Sequence, residues 1–88
     1  MNEQTGAVLI YGLTEIREIL RKLFATYYMS WEWAEALDQE RGLALITVKV
    51  AGEESVYILT LESAAYGIAR SEHFYDIANG IVEKLRLT

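Results

Sequence analysis

The residues that could do catalytic chemistry are few in this sequence, and their spacing does not favour it. His73 is the only histidine, and Asp76 follows it at a distance of one helical turn. Ser63 and Ser71 lie in the same stretch, but neither stands in the G-x-S-x-G motif that holds a nucleophilic serine on a strand-to-helix turn. We therefore predict no catalytic residue, and we interpret His73 as a partly exposed residue of a helix.

Metal and phosphate sites are not predicted either. The chain has no cysteine, which excludes disulfides, thiolate nucleophiles and cysteine–zinc sites together. Glu53 and Glu54 are adjacent, but they lack the spacing of a calcium-binding loop. Gly12 is a lone glycine with no phosphate-binding loop around it. The sequence thus predicts a protein without metal, without cofactor and without enzymatic activity.

The strongest functional signal is a cluster of aromatic residues beside acidic ones. Four of the ten aromatic residues fall within seven positions, between Tyr27 and Trp33. Tyrosine and tryptophan are enriched at binding hot spots, and nearby carboxylates attract a basic partner and its arginines. The alternative is that Trp31 and Trp33 belong to the core and that the glutamates are merely solvated. We predict a partner-binding face, comprising Tyr28, Trp31, Glu32, Trp33, Glu35, Asp38, Glu40, Glu53, Glu54 and Tyr57.

The charge of the chain is concentrated in its middle. Residues 29–62 hold seven acidic side chains and two basic ones, which accounts for the whole net charge of −5, while both ends are balanced. Nucleic-acid binding depends on cations that contact phosphates, so direct binding to nucleic acid is not expected. No apolar stretch is long enough to span a membrane, no secretory signal is visible, and the absence of cysteine fits a cytoplasmic protein.

The pattern along all 88 residues predicts a single α+β domain with the order β-α-β-β-β-α. The apolar run Ala7–Tyr11, between two glycines, indicates a short strand. Thr14 is the predicted N-cap of an amphipathic helix with an apolar face of Ile16, Ile19, Leu20, Leu23, Phe24 and Tyr27. Alternation predicts strands over Leu43–Val50 and Val56–Leu61, joined by a hairpin loop over Ala51–Ser55. Ser63–Arg70 indicates a short helix or turn, and a longer helix starts at Ser71.

The segment Met29–Arg41 has two interpretations. Alternating aromatic residues favour a strand, whereas the composition after Trp33, with Gly42 as a helix stop, favours a helix. We prefer the strand, which gives an antiparallel sheet of three to four strands with the helices packed on one face. Such a sheet leaves its other face to water or to a partner.

These observations favour a non-catalytic protein-binding module that uses an acidic, aromatic-containing face to engage a basic protein partner. One form is an inhibitor that blocks a nucleic-acid-binding groove by presenting carboxylates where phosphates would lie. Small, acidic, cysteine-free inhibitors encoded by phages, including anti-CRISPR proteins, are similar to this chain in size, charge and predicted element order, although no motif carries the similarity. The alternative is a structural or adaptor subunit, such as a homodimer whose aromatic strip packs against its own copy.

Overall fold

The structure, a computed structural model, describes residues 3–26 and 30–85. Its elements are α1 (Glu3–Thr26), β1 (Glu32–Asp38), β2 (Leu43–Val50), β3 (Glu53–Thr60), α2 (Leu61–Ala69) and α3 (Glu72–Lys84). The α+β class and the antiparallel sheet are confirmed. The predicted order β-α-β-β-β-α is wrong, because the described chain runs α-β-β-β-α-α with three strands. The element order therefore no longer supports the similarity to phage inhibitors.

The prediction of a strand over Ala7–Tyr11 is wrong, because this run is part of α1. Leu9 continues the helical spacing of the residues that follow, whereas Ile10 and Tyr11 are exposed. One stripe of α1 is therefore buried along the helix: Leu9, Leu13, Ile16, Leu20 and Phe24. Gly12 does not end the helix; a Cβ there would lie 3.0 Å from the side chain of Leu59 and 3.2 Å from that of Ala64. Thr14 is not an N-cap, since it lies inside the helix and its hydroxyl donates to the carbonyl of Ile10.

The three strands form one antiparallel sheet in the order β1-β2-β3. The preference for a strand in Met29–Arg41 is confirmed by β1. The predicted loop Ala51–Ser55 is shorter in the structure, because Glu53 already pairs with Val50. Ala51 and Gly52 both have positive φ, at 51° and 84°, as a two-residue type I′ turn requires.

The helices pack on one face of the sheet, as predicted. Alternate residues of β2 on that face are buried (Ala44, Ile46, Val48 and Val50), and Leu59 of β3 joins them. The helix predicted from Ser71 is confirmed as α3, although the Ser71 side chain makes no capping hydrogen bond. Of the two possibilities predicted for Ser63–Arg70, a short helix or a turn, the structure shows the helix, α2; it begins earlier than predicted, directly after Thr60, whose hydroxyl accepts from the Ser63 amide. None of the described helices is long and apolar enough to cross a membrane.

Candidate functional site on the open face of the sheet

The face of the sheet opposite the helices is what we call the open face. The two strand registers arrange it in four rows across β1, β2 and β3: Glu32–Lys49–Glu54, Ala34–Thr47–Val56, Ala36–Leu45–Ile58 and Asp38–Leu43–Thr60. These positions alternate with the buried ones along each strand, because successive side chains of a strand point to opposite faces. The register alone thus brings residues from three segments onto one surface.

The centre of the open face is aliphatic and accessible to solvent. Leu45 is 40% exposed, Val56 46% and Ile58 55%. Leu45 and Ile58 line a shallow cavity that also includes Ala36 and Leu43. A contiguous apolar patch on the surface of a small protein marks a site of interaction more often than isolated apolar residues do. The described part of the chain places no helix or strand over this patch.

The ends of the open face are acidic. In the first row, Glu32 and Glu54 flank Lys49 on neighbouring strands, which lie about 4.8 Å apart. Among the described residues no cation lies within 4.0 Å of either of these carboxylates. Asp38 lies at the opposite end, where its carboxylate is 3.6 Å from Arg41 Nε and accepts a hydrogen bond from the Arg41 amide. The aliphatic centre is therefore bordered by three carboxylates and two cations, the Lys49 ammonium group and the Arg41 guanidinium beside Asp38, all at the surface.

The two tryptophans of the predicted face lie on the helix side of the sheet. Trp31 and Trp33 are half-buried and pack against the core, with the Trp31 ring 5.2 Å from that of Phe24. The two tryptophans meet edge to face at 6.3 Å. Trp33 Nε1 donates to Glu35 Oε1 over 2.7 Å, which fixes both side chains. The predicted face is thus divided between the two sides of the sheet.

A strip of mixed charge runs along α1 beside Trp33. The Arg17 guanidinium lies 5.8 Å from the centre of the Trp33 ring, in the range of a cation–π interaction. Further along the strip, hydrogen bonds from the Arg21 guanidinium lower the pKa of the Glu18 carboxyl group. Because cations and carboxylates alternate here, this side of the molecule lacks the acidic excess of the open face.

The remaining predicted site residues are scattered. Glu40 lies in the turn between β1 and β2, and Glu53 begins β3 on the helix side of the register. Tyr57, also on the helix side, is half-buried next to α3. Tyr28 lies outside the described residues. Of the nine predicted residues that the structure describes, only Glu32, Asp38 and Glu54 lie together on the open face.

The site residues predicted from the sequence do not include the aliphatic centre of the open face, Leu45, Val56 and Ile58. A signal was present, because β2 and β3 carry apolar residues at both alternating positions rather than at one. Strands that are apolar on both sides are buried on both sides or have a partner. The predicted site was based on the aromatic cluster and not on this simpler pattern.

His73 contacts Ser63 and not Asp76, which follows it by one helical turn. Its Nε2 lies 2.7 Å from Ser63 Oγ, and the Tyr66 ring packs edge-on against the imidazole with centroids 4.8 Å apart. The contact joins α3 to α2, and both side chains are only partly buried. A nucleophilic serine also needs a group that orients the histidine and donors that stabilise an oxyanion. No described carboxylate is hydrogen-bonded to His73, so we interpret the contact as structural.

The described residues contain no group of three or more histidine, cysteine or acidic side chains that could hold a metal ion. No protein-family model matches the chain, and searches of curated proteins and of solved structures find no match. The interpretation of the site therefore depends on its own geometry.

Proposed function

We propose that this chain is a non-catalytic protein-binding module that engages a basic protein partner through the open face of its sheet. The observation that carries the proposal is the composition of that face: exposed Leu45, Val56 and Ile58 in the centre, with Glu32, Glu54 and Asp38 around them. An apolar centre within a polar, charged border is the usual anatomy of a protein–protein interface.

The charge of the border indicates that the partner has a basic surface. The three carboxylates outnumber the two cations beside them, Lys49 and Arg41, so the border attracts a surface rich in lysine or arginine and speeds its association at low salt. In the proposed complex the aliphatic centre supplies most of the affinity, because surface ion pairs contribute only about 0.2–1 kcal/mol each. The carboxylates contribute orientation and selectivity.

A partner that itself binds nucleic acid fits this chemistry best. Such proteins present cationic grooves that receive phosphates, and carboxylates on a neighbouring surface can take the place of the phosphates. Glu32 and Glu54 stand on the two outer strands, about 10 Å apart across the sheet at the usual strand spacing. The cytoplasmic location expected from the sequence belongs to the same proposal.

The aromatic residues have a supporting role in this proposal. Trp31 and Trp33 fix the start of β1 against α1 through Phe24 and Arg17. By holding β1 in register they keep Glu32 on the open face, beside Lys49. Their contribution to binding is thus indirect.

The experiment that tests the proposal reverses the charges of the open face. Native chain is immobilised, proteins are captured from a nuclease-treated extract, and the captured protein is purified and titrated at two salt concentrations. We expect the variant Glu32→Lys/Asp38→Lys/Glu54→Lys to bind it at least about 10-fold more weakly than the native chain. The affinity of the native chain should fall as salt rises, because exposed charges are screened.

A matched control separates the open face from the net charge. The variant Glu62→Lys/Glu72→Lys/Glu83→Lys makes the same change of charge at exposed helical positions. We expect it to retain nearly native affinity, whereas Ile58→Asp in the native background should abolish binding. Equal losses in both triple variants, or binding that is indifferent to salt and to Ile58→Asp, would contradict the proposal.

A further inference from the structure

We propose that a second copy of this chain pairs with the free edge of β3, which extends the sheet to six antiparallel strands. The two α3 helices cross beside the new strand pair, at Gly80. This inference does not depend on the proposed function, because it uses the edge of β3, although Val56 and Ile58 of the open face also contact each other across the new strand pair.

The backbone of β3 offers hydrogen-bonding groups along this edge. Glu53 and Val50 close the type I′ turn, so they form a hydrogen-bonded pair. Pairs of this kind alternate along an antiparallel ladder, so the next residues bonded to β2 are Ser55 and Tyr57. The residues that alternate with these, Glu54, Val56 and Ile58, direct their N–H and C=O groups away from β2. Since β3 is the last strand in the sheet order, these groups face outward.

When the β3 strands of two copies pair around a two-fold axis, one register is favourable for the side chains on this edge. With Tyr57 at the axis, Val56 lies opposite Ile58 of the second copy, and Glu54 lies opposite Thr60. The aliphatic side chains then pack against each other twice, and no carboxylate meets a carboxylate. Shifting the axis to Val56 would place Ile58 opposite Glu54, which is a poorer match.

A groove between this edge and α3 has room for the second helix. It is lined by Tyr57 together with Asp76, Ile77, Gly80, Ile81 and Lys84 of α3. A Cβ at Gly80 would meet nothing within 4 Å, so packing inside the chain does not require glycine there. A glycine inside a helix nevertheless costs about 1 kcal/mol relative to alanine. Close approach of another backbone would explain why the groove is left open at this point.

The charges on α3 are complementary to a second copy of the same helix. Asp76 and Lys84 stand four residues before and four residues after Gly80, on the same side of the helix. An antiparallel crossing at Gly80 therefore places Asp76 opposite Lys84 of the second copy, and the two-fold axis repeats the pair. Within the described chain neither side chain has an ion-pair partner. Because Tyr57 and Gly80 line the same groove, one axis satisfies both the strand pair and the helix pair.

The test is a charge-swap series read by sedimentation equilibrium. The native chain should show a monomer–dimer equilibrium. Asp76→Lys alone places lysines opposite each other, and Lys84→Asp alone does the same with carboxylates, so each should raise the dissociation constant at least about 5-fold. The double variant Asp76→Lys/Lys84→Asp restores both pairs and should return the dissociation constant to within about 2-fold of the native value.

A second variant tests the groove itself. Gly80→Leu fills the space beside Tyr57, and it should leave a folded monomer with an unchanged helical circular dichroism signal. A native chain that stays monomeric at millimolar concentration, or a double swap that does not recover dimerisation, would overturn the proposal. Binding of the basic partner to the open face should persist in all these variants, so the two proposals can fail separately.

Discussion

At the scale of single residues, two helical glycines, Gly67 and Gly80, differ in whether their surroundings have room for a side chain. Gly67 of α2 is buried, and a Cβ there would lie 2.3 Å from the Phe74 ring, which is itself buried and has no room to move away. We expect Gly67→Ala to lower the free energy of unfolding by about 1–3 kcal/mol, because overpacking outweighs the gain in helix propensity. Urea denaturation, followed by circular dichroism, measures the change.

Gly80→Ala is the matched control for this prediction. It adds the same methyl group to a helix at a position where nothing lies within 4 Å. At a protein concentration low enough for the monomer, this variant should gain about 0.5–1 kcal/mol from helix propensity. A loss of stability in Gly80→Ala, or none in Gly67→Ala, would contradict the packing described for α2 and α3.

At the scale of elements, the turn between β2 and β3 contains a residue type that is unfavourable for the backbone conformation of the turn. Ala51 has a φ of 51°, in the left-handed region that is unfavourable for a residue with a Cβ. Asparagine tolerates this region and is strongly preferred before glycine in type I′ turns. We expect Ala51→Asn to raise the free energy of unfolding by about 0.5–1 kcal/mol, whereas Gly52→Ala should lower it. Thermal unfolding of the two variants tests the turn type, and an unfavourable Ala51→Asn would contradict it.

The elements also show where sequence patterns are sufficient to predict secondary structure. Alternation and β-branched residues predicted β2, and helical spacing predicted α3 and the second half of α1, because in each a single face is buried. The prediction of a strand in the first part of α1 rests on Gly6 and Gly12, which flank the apolar run Ala7–Tyr11. In the structure a Cβ at either glycine would meet the side chain of a distant residue, Gln39 or Leu59. Such tertiary contacts have no local signal, so a glycine required for close packing looks the same as one that ends a strand.

At the scale of the whole molecule, the sequence allowed the layers to be predicted but not the division of the site between them. The sheet with helices on one face followed from amphipathic patterns, and the acidic excess of the centre followed from a count of charges. The tryptophans were assigned to the binding face because their residue type suits it. The register of β1 with β2 instead places Trp33 on the same face as buried Val48. The pairing of β1 with β2 decides on which side of the sheet each residue of β1 lies. This pairing joins residues that are distant in the sequence, so local patterns do not predict it.

This one-sided arrangement can be tested by making the same substitution on the two faces. Ile46 is fully buried on the helix side, whereas Ile58 is 55% exposed on the open face. Ile46→Thr leaves a cavity and buries a hydroxyl group, so it should cost about 2–4 kcal/mol of unfolding free energy. Ile58→Thr keeps a β-branched residue on a solvated surface and should cost less than about 1 kcal/mol in the monomer. Chemical denaturation of both variants at low protein concentration gives the comparison. Similar costs at the two positions would mean that the open face is covered within the folded chain, and a surface covered in that way could not receive the basic partner proposed for it.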